Sequence, residues 1–396
     1  MHFLPHFPLH ISSFTLFGLI LLLGLAGGEF IGRYRFLPRI LGYIVVGLLI
    51  GPNGFNWVSD YLLADTHLFV DISLGLILFE LGRQLDFAWL YRDQGLLLMA
   101  IAESGFTFCL IFTALYLLGL PGLSAILIAI VAIPTSPAVV MMVAYDLSAH
   151  GPVTRRTLML TSLNNLFALI LFTLLLPFTQ AHIAIDSALL SQTVYRLLGS
   201  MLFGLVIFVI TMLIACLTGK RKESQFILFI CAIVLAITFS SALNLSNMLT
   251  LFSFGAAARN LDRKHLLMEV DFGWLARLFF ILLFVIIGIH LQFQGLWQAT
   301  WAVLAFVFLR AIGKVAGVWL FAKKTRITKQ QAVAISLALS PMAGVALGMS
   351  NKLIAFNPEL GHLILTIIAA VVAILNIIGP ILTQIAFVKT KEAAVT

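Results

Sequence analysis

The chain has 396 residues, of which 61% are hydrophobic and only 10% charged, and its mean hydropathy is +1.09. Soluble domains are roughly 45–50% apolar and about 25% charged, so the composition excludes an ordinary soluble protein and describes a polytopic membrane protein. The formal net charge of +8 does not indicate a nucleic-acid surface, because the basic residues lie in short clusters between apolar runs, the pattern that sets membrane topology.

The chain opens on His2, His6 and His10, four residues apart, but Pro5 and Pro8 prevent a helix from aligning them as a metal site. No Lys or Arg precedes Ser13, so this stretch lacks the n-region of a signal peptide. About twenty apolar residues cross a bilayer as a helix. On that basis the chain is an all-α protein with about thirteen spans, at 14–32, 37–52, 67–82, 95–118, 123–145, 156–178, 194–217, 225–242, 245–258, 270–291, 297–322, 330–351 and 361–387. The ninth, within Asn244 to Asn260, is short. Cys109, Cys216 and Cys231 all fall in apolar spans, which gives no disulfide framework or metal site. No GxGxxG or P-loop pattern occurs in the short loops, so no nucleotide cofactor is expected. With no nucleophile–base pair or metal cluster either, no enzymatic activity is expected.

Placing the N-terminus outside puts most of the 24 basic residues in inward loops and the tail, and only Arg196 and Lys352 outside. Arg277, Arg310 and Lys314 lie within or at the ends of spans. The positive-inside rule therefore predicts an odd number of spans and a cytoplasmic C-terminus.

Two spans carry breaks. Pro134 and Pro137 flank Thr135 and Ser136 in the fifth, and Ser340-Pro341-Met342-Ala343-Gly344 interrupts the twelfth. Proline removes a backbone donor and clashes with the preceding turn. Broken backbone at membrane depth is tolerated only inside protein or along a cavity. At a rise of about 1.5 Å per residue, Thr135 and Ser136 lie ~12–14 residues from one surface and Asn164 and Asn165 ~9 from the other. Both groups fall near the midplane, as do Ser340 to Gly344, Asn376, Glu103 and Arg310.

The order repeats. Spans four to six carry Glu103, the first break and Asn164-Asn165; spans eleven to thirteen carry Arg310, the second break and Asn376. Seven spans separate the sets, so matching helices run in opposite senses, an inverted repeat typical of secondary transporters. Half-helix ends, hydroxyls and amide oxygens at the breaks suit a hard cation. A buried ionisable group at this depth is a functional candidate by default. Glu103 is expected to pair with Arg310, or with Lys314 one turn on, either functionally or simply to join packed helices. Glu80 with Arg83, Glu29 and Asp71 are read as interfacial residues, and the many phenylalanines as packing or lipid-facing.

The stretches Leu37-Pro38-Arg39-Ile40-Leu41-Gly42-Tyr43 to Gly51-Pro52, Phe79-Glu80-Leu81-Gly82-Arg83-Gln84-Leu85-Asp86, Phe279-Phe280 through Gly288, and Arg310-Ala311-Ile312-Gly313-Lys314 resemble the monovalent cation:proton antiporter-2 family, the Kef- and NapA-type sodium/hydrogen exchangers. The resemblance covers essentially all the spans. It implies a NhaA/NapA-like fold with two crossed discontinuous helices, an elevator-like core and a homodimer. The implied layout is scaffold helices in 1–93, core helices in 94–180 with the broken helix 123–145, a linker and scaffold helices in 181–295, and core helices in 296–396 with the broken helix 330–351. The implied partners are a monovalent cation, protons and the lipid bilayer, with no nucleic acid, and the absence of a long N-terminal extension and of luminal glycosylation architecture is expected to fit a bacterial inner membrane. The family places one or two aspartates on the sixth span, where this chain has Asn164-Asn165. An amide has no ionisable state near neutral pH, so the proton carrier is expected elsewhere, with Glu103 as first candidate. The leading expectation is Na⁺ or K⁺:proton antiport through Thr135, Ser136, Asn164 and Asn165. The alternatives are a carrier of an organic anion or neutral solute on the same fold, or a non-transporting sensor or partner subunit.

Overall fold

The structure is a computed structural model that describes residues 13–34, 37–52, 54–58, 67–179, 187–218, 222–262, 273–289 and 300–393. The three N-terminal histidines lie outside the described residues. Within them the chain forms helices α1 (Ser13–Gly32), α2 (Arg39–Ile50), α3 (His67–Arg83), α4 (Phe87–Arg92), α5 (Gln94–Leu117), α6 (Gly122–Ala132), α7 (Pro137–Asp146), α8 (Pro152–Leu175), α9 (Ser187–Thr218), α10 (Lys222–Ala242), α11 (Asn247–Leu261), α12 (Gly273–Ile289), α13 (Thr300–Phe321), α14 (Lys329–Ala338), α15 (Gly344–Phe356) and α16 (Pro358–Lys389). Each expected span overlaps one helix, except that the spans broken at Pro134 and at Pro341 are each split in two, whereas Pro380 lies inside an unbroken α16. The short α4 lies on a loop and was not expected. Among the described residues, eight segments are by length and composition long and apolar enough to cross a membrane. Local signals start many of these helices. Asp86, Asp93, Ser136, Ser246, Thr328 and Asn357 each accept a backbone N–H of the first turn, which satisfies a donor the helix leaves orphaned.

The helices group by contact. α1 and α12 pack on α2, α11 packs on α3 and α9, and α3 also meets α12. Separately, α5 packs on α13 and α6, and α16 packs on α14 and α15. The first group contains the same crossing twice. A Cβ on Gly47 of α2 would stand 2.0 Å from the Val285 carbonyl oxygen, and one on Gly288 of α12 would stand 2.3 Å from that of Ile44. Likewise, a Cβ on Gly82 of α3 would stand 2.1 Å from the Phe252 oxygen, and one on Gly255 of α11 1.9 Å from that of Phe79. Spans two and nine, and three and ten, are the pairs that an inverted repeat makes equivalent. The repeat is therefore visible in the packing as two glycine-mediated helix crossings.

A third close approach joins α5 to α13. A Cβ on Gly317 would lie 2.2 Å from Glu103 Cα, and one on Gly313 2.6 Å from Thr107 Cα. This proximity is what lets Glu103 reach across to α13. Gly317→Ala is expected to push the two helices apart and cost about 1–3 kcal/mol as overpacking, read as a lower melting temperature in detergent.

At the end that carries the basic loops, ion pairs tie the first group to α7 and α8. Arg39 of α2 approaches Asp146 at the end of α7 at 3.8 Å and Glu29 at 3.4 Å. Asp86 is shared between Arg259 of α11 at 3.1 Å and Arg155 of α8 at 4.0 Å. Burial raises the Asp86 carboxyl, but the Trp89 amide, Arg259 and Arg155 together outweigh it and hold its pKa below the ordinary value. Glu80 and Arg83 pair within α3 at 3.1 Å.

Candidate functional site

Helix α6 ends at Ala132 because Pro134 has no N–H to continue the ladder. After four intervening residues α7 begins with Pro137 in its first turn and Ser136 Oγ accepting from Val139 N. Helix α14 ends at Ala338, and α15 begins at Gly344, beyond Pro341. The two extended segments lie against each other. Ser136 N donates to the Pro341 carbonyl at 2.8 Å, and Thr135 Oγ1 donates to that of Leu339 at 3.0 Å. The discontinuous helices thus cross at their breaks.

A helix C-terminus leaves carbonyls unsatisfied and carries a partial negative charge. Two such ends meet here, and α13 supplies cations to both. Arg310 donates to the carbonyls of Ala132 at 2.8 Å, Pro134 at 2.9 Å, Ser340 at 2.6 Å and Pro341 at 3.4 Å. Lys314 donates to the Ile133 carbonyl at 2.6 Å and pairs with Glu103 Oε2 at 2.5 Å. The sequence left Arg310 and Lys314 as alternative partners for Glu103. The structure pairs Glu103 with Lys314, which also reaches the first half-helix end, and lets Arg310 bridge both ends. Of the break carbonyls expected to face a cation, those of Ala132, Ile133, Pro134, Ser340 and Pro341 accept from these two side chains instead.

The polar cluster continues onto α8. Asn164 Nδ2 donates to Glu103 Oε1 at 2.9 Å and to Thr135 Oγ1 at 3.0 Å, and its Oδ1 accepts from Thr135 N at 3.1 Å. Asn165 Nδ2 donates to the carbonyls of Thr135 and Thr161, both at 2.8 Å, and to Asn164 Oδ1 at 3.2 Å. Asn165 Oδ1 has no hydrogen-bond partner, although the residue is fully buried. Glu103, Thr135, Ser136, Asn164, Asn165, Arg310 and Lys314 are therefore brought together, and each is at most 2% exposed. Ser340 enters through its carbonyl. Gly344 starts α15 and lines a cavity of about 100 Å³ with Asp71, Leu74 and Met248. Asn376 of α16 is fully buried, but neither its Oδ1 nor its Nδ2 is hydrogen-bonded, so no bond ties it to the cluster. A larger cavity of about 1130 Å³ opens at the basic-loop end, lined by Arg39, Trp89, Asp146, Thr154 and Arg155 among others.

The cluster holds one carboxylate against two cationic groups, beside two amides that do not titrate. Crossed broken helices with buried charges at their junction are the architecture of a secondary transporter. The chain belongs to the sodium/hydrogen exchanger family, whose transmembrane domain matches residues 18–389. It is 23% identical over 332 residues to GerT of Bacillus cereus, described as a probable Na⁺/H⁺ antiporter, covering 80% of this chain and 86% of that one. Over 334 residues it is 22% identical to the Na⁺/H⁺-K⁺ antiporter GerN of the same organism, covering 80% and 83%. An Na⁺/H⁺ antiporter of Enterococcus hirae is 22% identical over 332 residues, covering 81% and 84%. In fold it resembles the sodium proton antiporter MjNhaP1 of Methanocaldococcus jannaschii, with a TM-score of 0.67 at 18% identity over 96% of both chains. An electron-microscopy structure of MjNhaP1 gives a TM-score of 0.72 at 15% identity, covering 96% of this chain and 95% of that one.

Proposed function

We propose that the chain is a secondary active antiporter that exchanges Na⁺ or K⁺ for protons, with the Glu103–Lys314 pair as the exchanging centre. The observation that carries this reading is the buried pair itself, joined through Asn164 to Thr135 at the helix break. The relatives' descriptions as Na⁺/H⁺ and Na⁺/H⁺-K⁺ antiporters support it. Asn164 and Asn165 cannot carry the proton, which leaves the pair. When Lys314 gives up its proton, Glu103 loses its counter-charge. A dehydrated cation then takes that place, with Asn165 Oδ1 as a free oxygen in the same hydrogen-bonded cluster. One proton leaves for each cation that enters. The cluster then has the same net charge in both loaded states, so exchange is one-for-one and electroneutral. The helices around α5–α8 and α13–α16 move as an elevator against those around α1–α3 and α9–α12. The protein has thirteen spans, an outside N-terminus and a cytoplasmic C-terminus, and works as a homodimer in a bacterial inner membrane.

Proteoliposomes with a pH-sensitive dye inside test this directly. An imposed Na⁺ or K⁺ gradient is expected to move protons without building a membrane potential, and Glu103→Gln is expected to abolish the movement. Unchanged exchange and pH dependence in Glu103→Gln would remove the pair from the mechanism.

The excess of positive charge in the cluster favours a second reading, a carrier of organic anions on the same fold. Thermal stabilisation by an organic anion and by no monovalent cation would select it. A silent wild type that gains exchange with Asn165→Asp would instead select a non-transporting sensor or partner subunit.

A further inference from the structure

Helix α8 begins at Gly151-Pro152 with no side-chain cap of its own. Its cap comes from the other end of the chain. After α16, Lys391 adopts the left-handed conformation, with φ 59°. Lys391 N then donates to the Val388 carbonyl and Glu392 N to that of Phe387, the paired bonds that close a helix. This turn lays Glu392 on α8. Its Oε1 accepts from Val153 N at 2.7 Å, and its Oε2 accepts from Thr154 N at 2.7 Å and Thr154 Oγ1 at 2.8 Å. Its carbonyl accepts from His150 N at 3.0 Å. A carboxylate suits the positive end of a helix, and Gly151 leaves the room, since a Cβ there would stand 2.2 Å from Glu392 Cδ.

A row of polar groups runs inward from Thr154. At 3.6 residues per turn, Thr154, Thr157, Thr161 and Asn165 share one face of α8, and all are buried. Thr157 Oγ1, Thr161 Oγ1 and Asn165 Oδ1 have no hydrogen-bond partner. Many other helical hydroxyls satisfy themselves on the carbonyl one turn earlier. Thr107 does so on Glu103, Thr211 on Ile207, Ser336 on Ala332 and Thr383 on Gly379. Thr157 and Thr161 do not. Ser104, Ser124 and Thr250 are also unpaired, but they sit singly on three different helices. On α8 the unpaired oxygens form a line. Its outer end is at Thr154, which lines the large cavity of the basic-loop end. Its inner end is Asn165, bonded to Asn164 and so one step from Glu103.

We infer that this face of α8 is a hydrated file and that Glu392 is its gate, so that water and protons pass from the large cavity to the Asn165 cluster along Thr154, Thr157 and Thr161. Neighbouring side-chain oxygens one helical turn apart, ~5–6 Å, are spaced for single bridging waters. A buried water needs two to four polar partners, which the hydroxyls, the Asn165 amide oxygen and nearby carbonyls supply. Glu392 holds the outermost hydroxyl of the row, so releasing it opens the file to the cavity. The inference rests on the exchange reading only in naming protons as the traffic.

Thiol accessibility tests it without any transport assay. In a Cys109→Ala, Cys216→Ala, Cys231→Ala background, Thr157→Cys, Thr161→Cys and Leu160→Cys are each treated in membranes with a small cationic methanethiosulfonate reagent from the basic-loop side. The two threonine positions are expected to react and Leu160→Cys, buried at the same depth on another face, to stay silent. Adding Glu392→Ala, or the shape-conserving Glu392→Gln, is expected to speed labelling at Thr161→Cys several-fold. Silent threonine positions, equal reaction at Leu160→Cys, or a rate that neither Glu392 variant changes would each overturn the inference. None of these outcomes depends on whether the protein exchanges Na⁺ or K⁺ for protons, so failure here leaves the exchange reading standing.

Discussion

Glu103→Gln is expected to cost about 3–5 kcal/mol of stability, because it leaves the Lys314 ammonium buried without a counter-charge. Shape does not rescue it. Both carboxylate oxygens act as acceptors, Oε1 from Asn164 Nδ2 and Oε2 from Lys314 Nζ. Glutamine offers one oxygen and one NH₂, so one of the two neighbouring donors meets another donor. Neutral replacement of both members, Glu103→Gln with Lys314→Met, is expected to recover most of the loss, since removing both partners of a buried pair is far milder than stranding one. The three proteins are compared by thermal melting in detergent and by proton flux. The double variant should melt near the wild type yet move no protons, separating the structural role of the pair from its exchanging role. A single variant that melts like the wild type would show that Lys314 is not held by Glu103.

The residues of this cluster were legible in the sequence to different degrees, and the physics explains the difference. The breaks were legible because Pro134 and Pro341 remove backbone donors within apolar spans, although Pro380 is carried inside α16 without ending it. Depth counting gathered Glu103, Asn164, Asn165 and Arg310 because a helix rises uniformly along its axis. Depth could not choose between Arg310 and Lys314, which lie one turn apart on the same face of α13. That choice is made by the close approach at Gly313 and Gly317, a contact between helices that no local signal announces. The break carbonyls looked available to a cation because their occupants come from another helix. The Glu392 cap was missed for the same reason, since its partners lie 238 and 239 residues away. One hint existed: α8 starts at Gly151-Pro152 without the Ser, Thr, Asp or Asn that begins so many other helices of this chain. An uncapped N-terminus in a membrane protein asks for a donated cap.

Arg310→Lys, which keeps the charge, is expected to destabilise the protein by at least about 1.5–3 kcal/mol, the contribution of a single charged hydrogen bond. The reason is geometric. The guanidinium fork reaches four carbonyls, two on each broken helix. A lysine ammonium is a compact point charge with three donors and does not span the crossing. The replacement should therefore loosen the contact between the breaks while leaving the Glu103–Lys314 pair formed. A double-mutant cycle makes the distinction. Arg310→Lys and Glu103→Gln remove different hydrogen bonds and should couple weakly, whereas Lys314→Met and Glu103→Gln remove one shared contact and should couple strongly. Equal coupling would mean that both cations serve Glu103 alike. The consequence reaches the mechanism. Arg310 cannot let go without leaving the break carbonyls of both helices short of a donor, and a guanidinium does not lose its proton in proteins. Lys314 has one carbonyl and one carboxylate to release, and an amine that can deprotonate. In the proposed exchange, Lys314 is therefore the cation of this cluster that gives way to an incoming ion.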